Sequence, residues 1–397
     1  MPAPSIFVVH NHYQKPGGED EVVRVESALL RSRGHEVGEF RLHNDAVEQM
    51  GTARLLKATF WNGAAHDELL DRLTVTRSDV AHFHNTFPLI SPAAYYAARR
   101  RRVAVVQTLH NYRLLCPSAL LFRNGRVCEE CLGRSVPWPG VVHACYRGSR
   151  SATAAVAGMT AVHRAIGTWT RAVDVYIALT EFGRRKFIEG GIPAEKIVVK
   201  PNFTEDPGVG DHRCREALFV GRLAPEKGLD TLISAWRLLA SRQPGLKLTI
   251  VGSGPMEVLQ RDNPPGIEWL GWQPRESVLE VMKRASLLVF PSVHYEGFPM
   301  TLVEAFATGL PVVASNIGAC AEVIRDRHTG RLYRPGDHVE LAHVLQEVFS
   351  NEDSLQDMGR HARAEYEMKY SPQRNYEQLM NVYALAAEHA HSTAAAS

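Results

Sequence analysis

Long apolar runs are missing from this chain of 397 residues. No window of about 18 residues, the length that crosses a bilayer as a helix, is apolar throughout and free of charge. Even the alanine-rich stretch 152–178 is interrupted by His163, Arg164, Arg171 and Asp174. We therefore predict a cytoplasmic protein without a signal peptide or membrane span, and any membrane contact would be peripheral, at the inner face.

Two binding signatures are also missing. The first glycine-rich loop lacks the Gly-x-Gly-x-x-Gly spacing that cradles a dinucleotide, which disfavours a nicotinamide-dependent enzyme. Basic residues are not interleaved with aromatic ones, so the sequence gives no sign of a nucleic-acid surface. Both absences favour a ligand other than a nicotinamide dinucleotide or a nucleic acid.

Size and charge suggest two domains of different character. A chain of 397 residues is too long for one ordinary core. Residues 1–200 contain 26 Lys and Arg against 18 Asp and Glu, and residues 201–397 contain 19 against 25, an asymmetry that the net charge of +2 conceals. The basic half could face anionic lipid headgroups or a pyrophosphate-linked lipid acceptor. The alternative is a solvated helix end at Arg99–Arg102, the densest basic site.

The most informative segment runs from His294 to Ser315. Two carboxylates, Glu296 and Glu304, flank a Gly-Phe-Pro loop that opens a predicted helix. In one continuous helix they would lie roughly 12 Å apart along the axis and about 80° out of phase, so they could not act as a close pair. The loop instead lets each carboxylate meet a different part of one elongated ligand. The helix N-terminus between them can hold phosphate oxygens, and a sugar nucleotide has this shape.

A second segment has the chemistry to bind a diphosphate. A buried strand at 217–220 leads into the loop 221–228 and then into an amphipathic helix predicted over 229–241. This loop places Arg222 and Lys227 at the carboxyl end of a parallel strand, where open α/β sheets bind ligands. Two cations there can neutralise the charge that develops on a departing nucleoside diphosphate. An ordinary charged surface loop is the alternative.

Glycines follow strands in both halves. Gly252 and Gly254 come after a strand in the second half, and Gly17 and Gly18 lie in the loop 10–19 after a strand at 6–9. Glycine at such places either lets a ligand approach the backbone or serves a tight turn, and both roles are open here. The spacing of strands and helices over the second half is that of a parallel, doubly wound sheet.

Histidines end two further strands of the first half. They are His82 and His84 on one strand and His110 after the next. An imidazole at the carboxyl end of a strand can bond a sugar hydroxyl or exchange a proton near neutral pH. We predict substrate contact for His110 and a structural role for His82, which lies one residue pair deeper on the same face as His84. For His84 both roles are open.

These motifs resemble those of the retaining glycosyltransferases of family 4, also called glycosyl transferases group 1. The resemblance rests on the E-x7-E pattern from Glu296 to Glu304 and on Gly-Arg-Leu-x-x-x-Lys-Gly at 221–228. It is close over 215–335 and looser over the first half. It implies the GT-B fold, an α/β architecture of two Rossmann-like, doubly wound parallel-sheet domains that face each other across a cleft. Asp-x-Asp, the metal-binding pattern of the other large glycosyltransferase fold, is absent, so we expect catalysis without a metal cofactor.

The resemblance also implies residue roles. Glu296 would face the transferred sugar, Glu304 the ribose, and His110 the sugar or acceptor, so His110 and Glu296 are the candidate catalytic residues. The candidate nucleotide-sugar-binding residues are Gly17, Gly18, Arg222, Lys227, Gly252, Leu270, Gly297, Phe298, Pro299, Met300, Thr301, Leu302 and Glu304. Retention of anomeric configuration is implied by the family alone.

Four of the six cysteines lie near one another in the sequence, at Cys116, Cys128, Cys131 and Cys145. A reducing cytosol disfavours disulfides, so a structural zinc site that holds the loop after His110 is the sharpest hypothesis. Only one pair has the short Cys-x-x-Cys spacing. Unligated thiols and an iron–sulfur cluster are therefore the alternatives.

The predicted domains follow from these motifs. An acceptor-side Rossmann-like domain covers 1–200 with a Cys-rich insertion at 116–145, and a nucleotide-sugar-binding domain covers 201–371. By resemblance, a helix at 372–390 crosses back to the first domain, and 391–397 form a disordered tail.

The predicted activity is transfer of a hexosyl group from a nucleoside diphosphate sugar to a glycan or lipid-linked acceptor, in cell-surface polysaccharide or glycolipid synthesis. A nucleotide-sugar epimerase or phosphorylase on the same fold is one alternative. A non-catalytic subunit that binds sugar nucleotides is the other.

Overall fold

The computed structural model describes residues 4–14, 17–212, 215–240, 242–243 and 245–395. The strands in this part of the chain are β1 Ile6–His12, β2 Val37–His43, β3 Val80–Asn85, β4 Ala104–Leu109, β5 Phe122–Arg123, β6 Arg126–Val127, β7 Val175–Ala178, β8 Ile197–Val199, β9 Glu216–Val220, β10 Lys247–Val251, β11 Ile267–Gly271, β12 Leu287–Phe290, β13 Val312–Ser315 and β14 Gly330–Tyr333.

The α-helices alternate with these strands along most of the chain, which is the pattern of parallel α/β sheets. They are α1 Gly18–Ser32, α2 Thr52–Phe60, α3 Gly63–Thr76, α4 Ala93–Arg100, α5 Trp138–Val142, α6 Arg150–Ala165, α7 Glu181–Glu189, α8 Leu229–Ala240, α9 Arg275–Arg284, α10 Met300–Thr308, α11 Gly318–Val323, α12 His338–Phe349, α13 Glu352–Lys369 and α14 Pro372–Ala395. Among the described residues, none of these helices is both long and apolar enough to cross a bilayer.

The chain forms two compact units. Unit 1 contains the chain up to Leu120, Glu129–Asn202 and the chain from Pro372, and unit 2 contains Leu121–Cys128 and Phe203–Ser371. The hairpin β5–β6, inside the insertion that we predicted as part of the first domain, therefore belongs to unit 2. Within unit 2, Phe122 of this hairpin packs edge-on against His294 with centroids 6.1 Å apart.

The sheet of unit 1 has the strand order β2-β1-β3-β4-β7-β8, and each neighbouring pair is parallel. The order reverses between β1 and β3. Strand β1 is longer than predicted, because pairing with β2 continues through His12 although the apolar run ends at Val9. His10 and His12 thus lie on the strand and not in the following loop.

The last helix, α14, packs within unit 1. Its Tyr383 hydroxyl lies 2.9 Å from His82 Nδ1, and its Tyr376 hydroxyl lies 3.0 Å from His35 Nε2. The helix continues to Ala395, so most of the predicted disordered tail is helical. Residues 396–397 lie outside the described part of the chain.

The sheet of unit 2 has the order β11-β10-β9-β12-β13-β14, again with parallel neighbours, and reverses between β9 and β12. Apolar side chains cover both faces. One face packs against α8 and α12 through residues such as Trp236 and Leu341, and the other packs against α9 and α10 through Met282 and Phe306. Burial on both faces explains why these strands are almost continuously apolar.

Candidate active site

Two loops meet where the strand order of unit 2 reverses, the usual ligand position in open α/β sheets. One follows β9 and the other follows β12. The Glu226 carbonyl oxygen of the first accepts a hydrogen bond from Val293 N at 3.0 Å and lies 3.2 Å from the Ser292 hydroxyl oxygen. Gly228 has φ +68°, and a Cβ there would lie 2.0 Å from the Pro291 carbonyl oxygen. Only glycine allows this close approach, so the two loops are locked side by side.

The locked loops bring Lys227 and Glu296 together. Lys227 Nζ lies 2.7 Å from Glu296 Oε1, which also accepts a hydrogen bond from the Ser292 hydroxyl at 2.9 Å. Glu296 is 8% exposed. Burial raises the pKa of Glu296, but the neighbouring His294 and Lys227 outweigh it and lower the pKa to about 2. The carboxylate is therefore charged, and it is fixed in position at the end of β12.

His294 lies next to this pair. Its Nε2 lies 3.7 Å from Glu296 Oε2, and its Nδ1 lies 2.9 Å from the Ser292 hydroxyl. Burial lowers the pKa of His294 more than the Glu296 carboxylate raises it, so the ring is neutral near pH 7. Phe122 covers the ring from the hairpin side. The insertion therefore contributes a side chain to the surroundings of Glu296.

Helix α10 begins directly after this loop. Its N-cap, Pro299, provides no side-chain cap, and the Leu302 N–H already donates to the Pro299 carbonyl oxygen at 3.0 Å. The Leu302 side chain is also buried, so Leu302 has no group left to bind a phosphate. The N–H groups of Met300 and Thr301 are the remaining candidates for the predicted phosphate contact. Gly297 and Phe298 form the approach to the helix and are half-buried.

Glu304 lies one turn into α10, as predicted. Its Oε1 accepts from Arg275 Nε at 3.1 Å, and the same guanidinium donates to the Thr204 hydroxyl at 2.5 Å. The side chain of Glu304 is largely buried beside Arg275. A carboxylate held in this way can accept hydrogen bonds from a diol while its charge stays balanced.

Arg222 does not join Lys227 at Glu296. Its guanidinium pairs with Glu226 in the same loop, and the side chain is 62% exposed. Gly252 has φ +141°, and a Cβ there would lie 1.9 Å from the Gly221 carbonyl oxygen, so packing of adjacent loops already requires glycine at 252. Leu270 is half-buried near the end of β11 and packs against the core.

The glycines of unit 1 differ from Gly252. Gly17 is the N-cap of α1 and donates its N–H to Asp20 Oδ2 at 2.9 Å. Its φ of −132° is open to any residue, and an added Cβ would meet nothing within 4 Å. Backbone conformation therefore does not explain glycine at 17. Gly18, the first residue of α1, is also exposed; residues 15–16 of this loop lie outside the described part of the chain.

The histidines of the first half meet at the carboxyl ends of β3 and β4. His84 Nδ1 lies 2.9 Å from His110 Nε2, and both residues line a cavity of about 50 Å³. Burial, followed by the effect of His84, keeps the pKa of His110 well below its ordinary range. His82 is completely buried between the hydroxyls of Tyr383 and Thr108. His110 is thus a neutral hydrogen-bonding group.

Two groups of side chains within the described part of the chain have ligand atoms close enough to share a metal ion. They are His10 with His12 and Asp20, and Glu26 with His82 and His84. Neither group includes a cysteine, and none of the described cysteines forms a disulfide. Zinc at Cys116, Cys128, Cys131 and Cys145 stays a prediction, which metal analysis of the purified protein would check.

Sequence reasoning did not identify Ser292, His294 or Arg275 as parts of the site. The first two lie in the loop that follows β12, four and two residues before Glu296. Their place after an apolar strand is the signal that could have found them. Arg275 gives no comparable signal, because its contact with Glu304 depends on how α9 and α10 pack.

Family models match most of the chain. Residues 210–365 match the model described as Glycosyl transferases group 1, and residues 16–206 match Glycosyltransferase Family 4. The amylovoran biosynthesis glycosyltransferase AmsK of Erwinia amylovora is 29% identical over 227 residues, which are 53% of this chain and 56% of AmsK. The chain spans about half the length, or less, of the curated relatives that it matches.

Solved structures resemble the whole chain. Anabaena HepE in complex with UDP gives a TM-score of 0.70 at 18% identity, with 96% of this chain and 99% of HepE covered. HepE has also been solved with UDP-glucose. Sucrose-phosphate synthase from Thermosynechococcus elongatus gives a TM-score of 0.70 at 15% identity, with 99% of this chain and 100% of that chain covered. Likeness at such identities is a likeness of fold.

Proposed function

Because this chain belongs to the glycosyl transferases group 1 family and has the GT-B fold, we propose that it transfers a sugar from a nucleoside diphosphate sugar to an acceptor hydroxyl. The observation that carries the proposal is the Lys227–Glu296 pair, with its buried carboxylate, directly before the N-terminus of α10. A fixed cation, a fixed carboxylate and unpaired helix N–H groups suit a diphosphate with a sugar attached.

Each group has a proposed part. Lys227 and the N–H groups of Met300 and Thr301 stabilise the negative charge on the leaving diphosphate, which makes a metal cofactor unnecessary. Glu296 orients the hydroxyls of the transferred sugar, and Glu304 binds the ribose hydroxyls. The Arg222 side chain is exposed, so its guanidinium can leave Glu226 and bind a phosphate instead.

The donor that we propose to test first is a uridine diphosphate hexose. HepE, which shares the fold, has been solved with UDP and with UDP-glucose. Leu270, at the end of β11, supplies an apolar surface for the base. A guanosine diphosphate sugar is the comparison donor.

The acceptor that we propose is a glycan or a lipid-linked sugar, in the synthesis of a cell-surface polysaccharide or glycolipid. The name of AmsK places that relative in amylovoran biosynthesis. The excess of basic residues in 1–200 supports a pyrophosphate-linked lipid acceptor and peripheral contact with an anionic membrane surface.

We also propose retention of the anomeric configuration. The acceptor oxygen attacks the anomeric carbon on the face from which the diphosphate departs. The bond from that carbon to the phosphate oxygen breaks, and the same phosphate oxygen takes the acceptor proton. This step needs no enzymic nucleophile and no separate base.

Thermal shift followed by a transfer assay tests the proposal. A donor that binds the native state raises the melting temperature, so uridine and guanosine diphosphate sugars can be ranked without an acceptor. Radiolabelled donor is then incubated with lipid and glycan acceptors, and the linkage is read by NMR. Transfer with retention is the expected result. Release of an epimer, consumption of phosphate without an acceptor, or binding without turnover would overturn it.

A further inference from the structure

A line of buried polar side chains leads from His110 into the core of unit 1. His110 Nε2 lies 2.9 Å from His84 Nδ1, and His84 Nε2 lies 3.4 Å from Glu26 Oε1. The other oxygen of Glu26 lies 3.2 Å from Lys200 Nζ. Glu26, His84 and Lys200 are all at most 3% exposed. The order of these groups determines which ring nitrogens of His84 and His110 carry protons.

The charged end of the line is fixed. An ammonium group only donates hydrogen bonds, so Lys200 holds Glu26 as a carboxylate, which only accepts them. The pKa of Glu26 agrees with this, because Lys200 and then His84 and His82 lower it well below its ordinary range against the effect of burial. A buried carboxylate next to an ammonium group therefore terminates the line.

The carboxylate sets the tautomer of His84. If the lone pair of His84 Nε2 faced Glu26 Oε1, two electron-rich atoms would meet in a buried site, which is unfavourable. The other imidazole near this oxygen, His82, has its Nδ1 3.3 Å away, but that atom lies closer to the Tyr383 hydroxyl, at 2.9 Å. In the neutral form of His84 the proton therefore resides on Nε2, and Nδ1 is an acceptor.

The tautomer of His110 follows from that of His84. With His84 Nδ1 as acceptor, His110 Nε2 must carry the proton that makes the 2.9 Å hydrogen bond. The remaining ring nitrogen of His110, Nδ1, is then a lone pair. A lone pair on a neutral imidazole accepts a hydrogen bond from a hydroxyl, and it cannot donate one.

We propose that Glu26 and His84 are positioning residues that hold His110 as its Nε2–H tautomer, so that His110 Nδ1 accepts a hydrogen bond from a sugar hydroxyl of the substrate. The proposal rests on the proposed function for the identity of the substrate. The tautomers of His84 and His110 do not rest on it, because they follow from the Glu26 carboxylate that Lys200 holds beside His84.

The first test reads the tautomer without turnover. Protein labelled with ¹⁵N-histidine is examined by long-range ¹H–¹⁵N NMR, and the His110 signals are assigned by their loss in His110→Gln. We expect a protonated Nε2 and an unprotonated Nδ1. A protonated Nδ1, or a doubly protonated ring at pH 7, would overturn the proposal even if the protein is an active transferase.

The second test compares two variants of His84. His84→Leu removes the acceptor for His110, and we expect mixed His110 tautomers and a loss of about tenfold in kcat/KM, the value of one hydrogen bond. His84→Gln keeps an amide oxygen for His110 and an amide N–H for Glu26. It should restore the Nε2–H tautomer and most of the lost rate.

A buried histidine elsewhere in unit 1 provides the control. His163 bonds Thr168 and the Phe60 carbonyl oxygen and has no part in the line, so His163→Leu should change neither the His110 signals nor kcat/KM. A wild-type rate and an unchanged tautomer in His84→Leu would contradict the proposal. If His84→Leu does not fold, the wild-type spectrum decides. Absence of transfer in every protein, with the expected tautomer, would count against the proposed function only.

Discussion

The two sheets share a topology but differ in the side chains at their carboxyl ends. Each strand order reverses once, between β1 and β3 in unit 1 and between β9 and β12 in unit 2. The reversal in unit 2 carries Lys227, Glu296 and, from the helices behind it, Glu304 with Arg275. The corresponding end of unit 1 carries His84 and His110. Topology thus fixes where a ligand binds, and side chains fix which ligand.

The difference is electrostatic. In unit 2 the charged pair Lys227–Glu296 lies directly before the N-terminal N–H groups of α10, which favour anions. In unit 1 the net charge of the sequence is positive, yet His110 at the sheet end is neutral because burial keeps its pKa low. One end therefore suits a diphosphate and the other suits uncharged hydroxyls.

The largest expected effect comes from removing the charge of Glu296. Glu296→Gln keeps the shape but leaves Lys227 without its carboxylate and the sugar without a strong acceptor. Loss of one fixed electrostatic contact to a transition state costs about 10²- to 10³-fold in kcat. Steady-state kinetics with the donor found by thermal shift would measure it.

The control for that variant is Glu280→Gln. Glu280 lies on α9, is two-thirds exposed and pairs only with Lys283 among the contacts that the structure gives it. We expect its kcat to stay within twofold of wild type, since exposed ion pairs contribute about 1 kcal/mol or less. Normal turnover in Glu296→Gln would show that the Glu296 carboxylate does not orient the transferred sugar.

The two units should also respond differently to acid. Burial lowers the pKa of His10 in unit 1 from 6.5 to about 4, despite its hydrogen bond to Asp20. The contribution of the neutral ring to the free energy of unfolding is therefore lost as pH falls from 6.5 towards 4. The pKa of Glu296 falls from 4.5 to about 2, so its contribution is intact above 4.5 and lost only below that. Each of these two pKa shifts corresponds to about 3 kcal/mol in the free energy of unfolding.

Hydrogen exchange by mass spectrometry separates the two effects. After correction for the intrinsic exchange rate, peptides from β9 and β12 should keep their protection between pH 7 and pH 5. In unit 1, burial also raises the pKa of Glu19 to about 8, and this shift acts in the opposite direction, so the loss of protection that His10 causes in β1 and β3 is read as the difference between wild type and His10→Gln. Equal loss in both units over that range would show that the contrast between neutral and charged sites does not govern stability.

How much of this could be predicted from sequence depends on the range of the contact. Helix α10, its loop and its end at Gly309 follow from local signals, namely a Gly-Phe-Pro break and a left-handed glycine cap. The Lys227–Glu296 pair joins residues 69 apart, and the Lys200–Glu26 pair joins residues 174 apart. Such pairs depend on which strands are neighbours, which periodicity does not specify. Strand β1 was predicted too short for a related reason, because its last residues are held by pairing and not by apolar character.

Gly252 gives a smaller effect, on stability. At φ +141° an alanine is strained, and its Cβ would press on the Gly221 carbonyl oxygen. We expect Gly252→Ala to lower the free energy of unfolding by about 2 kcal/mol or more. Urea unfolding would measure it. Wild-type stability with a weakened donor affinity would show that the glycine serves the ligand and not the packing of the loops.

Gly17 should show the opposite pattern, with the smallest effect on folding. Its φ of −132° and the open space around it allow alanine, so Gly17→Ala should change the free energy of unfolding by no more than about 0.5 kcal/mol. If a substrate approaches this backbone, the added methyl group raises KM while stability is unchanged. Gly51→Ala is the matched control, because that glycine is also an N-cap in extended conformation with nothing near its Cβ position. Because neither glycine is required by conformation, a rise in KM at 17 and not at 51 could only come from the ligand.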